Sequence, residues 1–282
     1  MKLLFVLIFS LFVGSNSYGQ ENLHILWQTD SLFKHPESIV YNAKKSCFYV
    51  SNLDKNTPSE NLYTDAISKV CRNGNKVKVD WIKGISSPTG MILQNDTLFV
   101  VERNGVALVD IKKRKVIKRI PIETKGFLND ITIDSKNRIF VTETETIGVI
   151  YIIENDSSQV WYKGQDIGKV NGIFSDGNEL ILGVNYDGYL KKINTSTKEI
   201  SNIEFLGEGN IDGIQKTLSG NYLVSLFLGN LYEIGSSKGK VELMNTRDKN
   251  LFIADFTYVR ELQQIIIPSL RTNQIFSVHY EE

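Results

Sequence analysis

One pattern recurs along the chain at a nearly constant interval. An apolar residue or proline is followed by a variable residue, then Ser, Gly or Asp, then an apolar run. The six copies are PESIVYN at Pro36, PTGMIL at Pro88, LNDITID at Leu128, VNGIFSD at Val170, IDGIQKT at Ile211 and IADFTYV at Ile253. Their starts lie 52, 40, 42, 41 and 42 residues apart. Such a period marks a supersecondary unit that buries its apolar face only against its neighbours.

Within each unit the periodicity is that of strands. After five of the six copies a short polar turn leads into a second apolar run, such as CFYVSN, TLFVVER or RIFVTET. The second unit continues with GVALVDI and KVIKRIPI, the third with GVIYIIE and SSQVWYK. These alternate with period two and are rich in β-branched and aromatic residues. Asn73-Gly74 and Asp187-Gly188 have hairpin-turn chemistry. Units of four antiparallel strands at this spacing predict an all-β, six-bladed β-propeller. The last unit holds only three strands, ending in NQIFSVHY, and LHILWQT from Leu23 to Thr29 supplies the fourth. Pairing the two termini in one blade closes the ring and hides an edge strand that would invite aggregation.

In a propeller the first strand of each blade lines the central channel, so equivalent repeat positions form a ring. The variable residues are Glu37, Thr89, Asn129, Asn171, Asp212 and Ala254. Four of them carry amide or carboxylate oxygens. Converging in a channel, two carboxylates and two amides are costly unless something positive lies between them. Oxygen donors without His or Cys favour a hard cation, Ca²⁺ first, then Mg²⁺, with Zn²⁺ second choice. Asn and Asp also begin strands simply because they cap turns.

These four motifs resemble those of the SMP-30/gluconolactonase/LRE-like six-bladed propellers, over essentially the whole mature chain. The resemblance implies a divalent metal held by Glu37 in PESIVYN, Asn171 in VNGIF and Asp212 in IDGIQ, with Asn129 of LNDIT beside metal and substrate. It also implies metal-assisted hydrolysis of a lactone or related ester, with Asp212 as general base and Asn129 orienting a substrate oxygen. Sugar-acid lactonases of that family carry Arg two residues before the Asn that matches Asn129; here the position is Phe127. A non-catalytic propeller that binds a ligand or protein partner, with a structural metal, is the second reading.

Charge narrows the partners. The 32 Lys+Arg balance 32 Asp+Glu, which removes the electrostatic case for nucleic acid or an anionic membrane. The basic run Lys112–Lys115 lies between two strand patterns and reads as a solvated hairpin tip. Residues 1–19 read as a signal peptide: Lys2, the apolar run Leu3–Val13, then small residues up to Gly19. The expected mature chain, 20–282, is one propeller, exported to the periplasm or outside, with no membrane insertion after cleavage. Cys47 and Cys71 admit a cross-strand disulfide if their runs are neighbouring antiparallel strands, where such bridges are often strained, and read at least as well as two small buried apolar side chains. The polar stretch Asn52–Tyr63 reads as a lid or as idle surface. The histidines, His24, His35 and His279, fall on the closing strands or a loop and build no Ser-His-Asp triad.

Overall fold

The computed structural model describes residues 23–53, 63–71, 74–207, 209–235 and 239–282. They form six antiparallel sheets of four strands each, one per repeat. Blade 1 runs through Pro36–Asn42, Cys47–Asn52, Asp65–Cys71 and Val77–Ile85. The innermost strands of blades 2 to 5 are Met91–Gln94, Leu128–Ile133, Lys169–Asp176 and Ile211–Lys216. Blade 6 is assembled from both ends of the chain, with Thr257–Val259 innermost and Ile25–Gln28 outermost. Among the described residues, helical structure is confined to short 3₁₀ turns, and no helix is long and apolar enough to cross a membrane.

The ring closes as expected. Ile25–Gln28 pairs antiparallel with Gln274–His279, Trp27 opposite Ser277 and Gln28 opposite Phe276. Beyond the strand, Thr29 continues the zip: its N–H donates to Ile275 O at 2.9 Å and its hydroxyl oxygen accepts from Ile275 N at 3.0 Å. The regular strand, Ile25–Gln28, is shorter than the Leu23–Thr29 expected, and its register shifts between Ile25 and Trp27.

Alternate residues of each strand pack between blades, the reason no blade is stable alone. Between blades 1 and 2, for example, Tyr49, Ile67, Ile82, Leu98, Val100 and Val109 form one cluster, with Trp81 stacked on Tyr49 at 5.0 Å between ring centroids. The Lys112–Lys115 tip is exposed, and Lys112 pairs with Asp96 at 2.6 Å. The expected signal peptide and most of the Asn52–Tyr63 stretch lie outside the described residues, as does Asn73.

Candidate functional site

Four of the six innermost strands carry the same irregularity at the same repeat position. In blades 1, 3, 4 and 5 the pairing to the second strand skips between Pro36 and Ile39, Leu128 and Ile131, Val170 and Ile173, and Ile211 and Ile214. The skipped pairs are Glu37-Ser38, Asn129-Asp130, Asn171-Gly172 and Asp212-Gly213. A bulge breaks the simple up-down alternation and re-aims a side chain. Here it accompanies every one of the four ring residues that carry an amide or carboxylate. In blades 2 and 6 the innermost strand begins only after Thr89 and Ala254, and neither of these faces the cavity.

Second-strand hydroxyls satisfy the bulged backbone. Ser51 Oγ accepts from Ser38 N at 2.9 Å, Thr142 Oγ1 from Asp130 N at 3.0 Å, and Ser225 Oγ from Gly213 N at 2.8 Å. Two of them also tie a blade to the next: Thr142 donates to Asn171 O at 2.6 Å and Ser225 to Ala254 O at 3.1 Å. Glycine at the third repeat position allows the same close approach. A Cβ on Gly172 would lie 1.8 Å from Asp212 O, and one on Gly213 would meet the Phe256 backbone N at 3.0 Å. The obstacle at Gly172 is backbone and cannot swing away. Gly172→Ala should therefore destabilise the protein by about 3 kcal/mol, read as a lowered midpoint in urea unfolding. Wild-type stability in that variant would contradict the tight blade 4–blade 5 contact.

Glu37, Asn129, Asn171 and Asp212 all line one cavity of about 460 Å³ at the mouth of the channel. All four are buried, between 4% and 8% exposed. Asn171 Oδ1 and Asp212 Oδ1 are buried acceptors without a hydrogen-bond partner, as is Asn185 Oδ1 in the same cavity. Buried acceptors left unmatched cost free energy, and a cation bound among them would remove that cost. The set therefore fits a hard, oxygen-ligated cation. It draws on two carboxylates plus amides; among the described residues no three His, Cys, Asp or Glu side chains group as a metal site by themselves.

Electrostatics point the same way. Burial, and then the Asp255 carboxylate, push the Asp212 pKa up to about 8. Burial likewise pushes Asp255 up to about 7, although Ser38 Oγ donates to its Oδ2 at 2.6 Å. Asp130 is raised well above the carboxylate range by burial, then by Asp255, despite N–H bonds from Ile173 at 2.8 Å and Ile131 at 2.7 Å. Asp130 and Asp255 occupy the third repeat position, one residue past the ring, where the pattern reads only Ser, Gly or Asp. Their identity was visible in the sequence; their meeting across the channel was not.

The cavity walls come from loops and second-strand ends. Leu53, Phe127, Phe227 and Leu270 supply apolar surface, and Phe227 packs edge-on against Phe252 at 5.2 Å. Asp65 also lines it, with Ser87 N donating to its Oδ2 at 2.8 Å. Arg103 is the cation among the lining residues, its guanidinium donating to Ser87 Oγ at 3.3 Å. The repeat pattern did not single out Asn185, Asp65 or Arg103. Asn185, which closes the second strand LILGVN, was the most findable, being a polar end to an otherwise apolar run. His35 lies outside this cavity, and His24 and His279 sit in blade 6, the backbone N–H of His279 donating to His24 O.

Solved structures share the architecture. A luciferin-regenerating enzyme matches with a TM-score of 0.67 at 12% identity, covering 88% of this chain and 92% of its own. A gluconolactonase-like protein matches with a TM-score of 0.68 at 12% identity, covering 91% and 94%. The WD40 β-propeller domain of Doa1 matches with a TM-score of 0.61 at 13% identity, covering 87% and 78%. No protein-family profile and no curated protein sequence matches the chain. At such identities the likeness is one of fold, and it meets the expectation of a propeller of this architecture.

Proposed function

We propose that the protein is an exported, metal-dependent hydrolase of lactones or related esters. The observation that carries the reading is the cavity in which Glu37, Asn171 and Asp212 meet, with Asn171 Oδ1 and Asp212 Oδ1 buried and unmatched. Those three residues would hold the cation, Ca²⁺ before Mg²⁺ or Zn²⁺, because every donor is a hard oxygen. When bound, such a cation supplies Lewis-acid chemistry toward an ester carbonyl. The fold shared with a luciferin-regenerating enzyme and a gluconolactonase-like protein supports the substrate class.

The chain's own residues divide the remaining work. Asp212 is the general base: a carboxylate has two oxygens, so one can hold the cation while the other takes a proton from an attacking water. Burial raises its proton affinity toward the neutral range where a general base is most effective. The Asn129 amide faces the same cavity and orients a substrate oxygen. Leu53, Phe127, Phe227 and Leu270 shield the site from bulk water and receive the apolar part of the substrate. With Phe127 where a sugar-lactone site has arginine, gluconolactone is a poor fit.

A panel of lactones and aryl esters, assayed with EDTA and with added Ca²⁺, Mg²⁺, Mn²⁺ or Zn²⁺, tests the reading. The expected result is turnover that vanishes with EDTA and returns with one cation. Metal-dependent thermal stabilisation without turnover of any ester would replace the hydrolase with a binding propeller. Export is checked by intact mass of periplasmic or secreted protein, which should begin near Gln20.

A further inference from the structure

We infer that Cys47 and Cys71 are a closable dithiol: Cys71 meets a disulfide oxidant and Cys47 resolves the adduct into a disulfide that staples blade 1. The two residues stand directly opposite each other on the antiparallel strands Cys47–Asn52 and Asp65–Cys71. Their sulfurs are 3.4 Å apart as free thiols. Directly opposed antiparallel residues have Cα atoms about 4.5–5.5 Å apart, within the span a disulfide bridges. The sulfurs can therefore join by side-chain rotation, with the strands left in place.

The two thiols differ in access. Cys47 is 5% exposed, and its Sγ lies 3.1 Å from Lys45 O. Cys71 is partly exposed and lines an open cavity of about 220 Å³ together with Lys69, Lys76, Lys78, Arg114 and Trp81. Cations crowd that opening, and among the described residues no acidic side chain lines it. Such surroundings draw an anionic oxidant toward the Cys71 sulfur. At Cys47, burial and then the neighbouring Cys71 push the thiol pKa up, with Lys69 opposing. That suits a thiol that stays protonated until its partner has reacted.

The chemistry balances. Cys71 thiolate attacks one sulfur of a low-molecular-weight or protein disulfide, RSSR; the S–S bond breaks and RS⁻ leaves. Cys47 then gives up its proton to solvent, its sulfur attacks the Cys71 sulfur of the mixed disulfide, and the second RS⁻ leaves. Two protein thiols are oxidised and one oxidant disulfide becomes two thiols. The bridge locks the register of the hairpin at the end away from the cavity. At its other end stand Leu53 and Asp65, both of which line the cavity.

Native, reduced protein titrated with oxidised glutathione decides the matter by intact mass and thiol count. Wild type should lose both thiols and two hydrogens, with no lasting adduct, and its Tm should rise by roughly 5–10 °C over the reduced form. Cys47→Ser should accumulate a glutathione adduct at Cys71. Cys71→Ser should react about 10-fold more slowly, since its remaining thiol is buried. Wild type that kept both thiols, or ended as a stable glutathione adduct, would overturn the dithiol. That mass readout needs no variant, so it stands even if a substitution impairs folding. Equal rates for the two variants would overturn Cys71 as the point of entry.

Discussion

Asp212→Asn should lower ester turnover by roughly 10²–10⁴-fold, the scale of removing a general base, while leaving the blades folded. The substitution keeps the size of the side chain and takes away a charge and a proton acceptor. The strand's apolar residues, Ile211 and Ile214, stay in the core between blades. Metal affinity should fall as well, since one of two carboxylate ligands becomes an amide. Stability without metal should move the other way. Asp212 is buried beside Asp255, and losing the carboxylate removes that repulsion. The variant measured in EDTA at pH 8 should thus be at least as stable as wild type, while binding metal more weakly. A variant with full, EDTA-sensitive activity would exclude Asp212 as the base. One that unfolded in EDTA would show that the side chain holds the channel together by contacts unrelated to a cation.

Wild-type protein stripped of metal should lose stability as pH rises from about 4 to about 8. The sign follows from the carboxyls themselves. In the unfolded chain an aspartate releases its proton near 3.8; in the fold Asp212 keeps it to about 8 and Asp255 to about 7. Between those values the native state binds more protons than the unfolded state, so stability falls with pH. Asp130, raised in the same direction, adds to the slope. The total is on the order of several kcal/mol, a large share of the roughly 5–15 kcal/mol that holds a domain folded. Added Ca²⁺ competes with these protons and should raise the Tm far more at pH 8 than at pH 5. Thermal melts in EDTA and in Ca²⁺ across that range provide the measurement. A metal-free Tm that stayed level from pH 5 to 8 would mean that the channel carboxyls titrate as they do in water.

Much of the architecture can be read from the chain because a propeller is nearly one-dimensional. Each blade is a local meander of about 40 residues, so its strand pattern, turns and repeat spacing are all written consecutively. The count of six, the borrowing of the N-terminal strand by the last blade and the position of the ring residues follow from that regularity. Glu37, Asn129, Asn171 and Asp212 could be paired in advance because one repeat position in each blade must face one channel. Contacts across the channel and between blades are another matter. The period-two alternation names two faces of a strand, and a bulge at residues 37–38, 129–130, 171–172 and 212–213 breaks that alternation where the site is built. Asp130 and Asp255 are 125 residues apart and read as ordinary variants of a Ser/Gly/Asp position until the closed ring brings both to one cavity. Asn185, Asp65, Arg103 and Phe227 come from strand ends and loops that no repeat constrains. The 3.4 Å approach of Cys47 and Cys71 depends on the register of a hairpin joined by a long polar segment, not by a two-residue turn that would fix the register locally. Local pattern determined which elements form and in what order. Register, bulges and ring closure, set by packing between segments distant in sequence, decided which side chains meet.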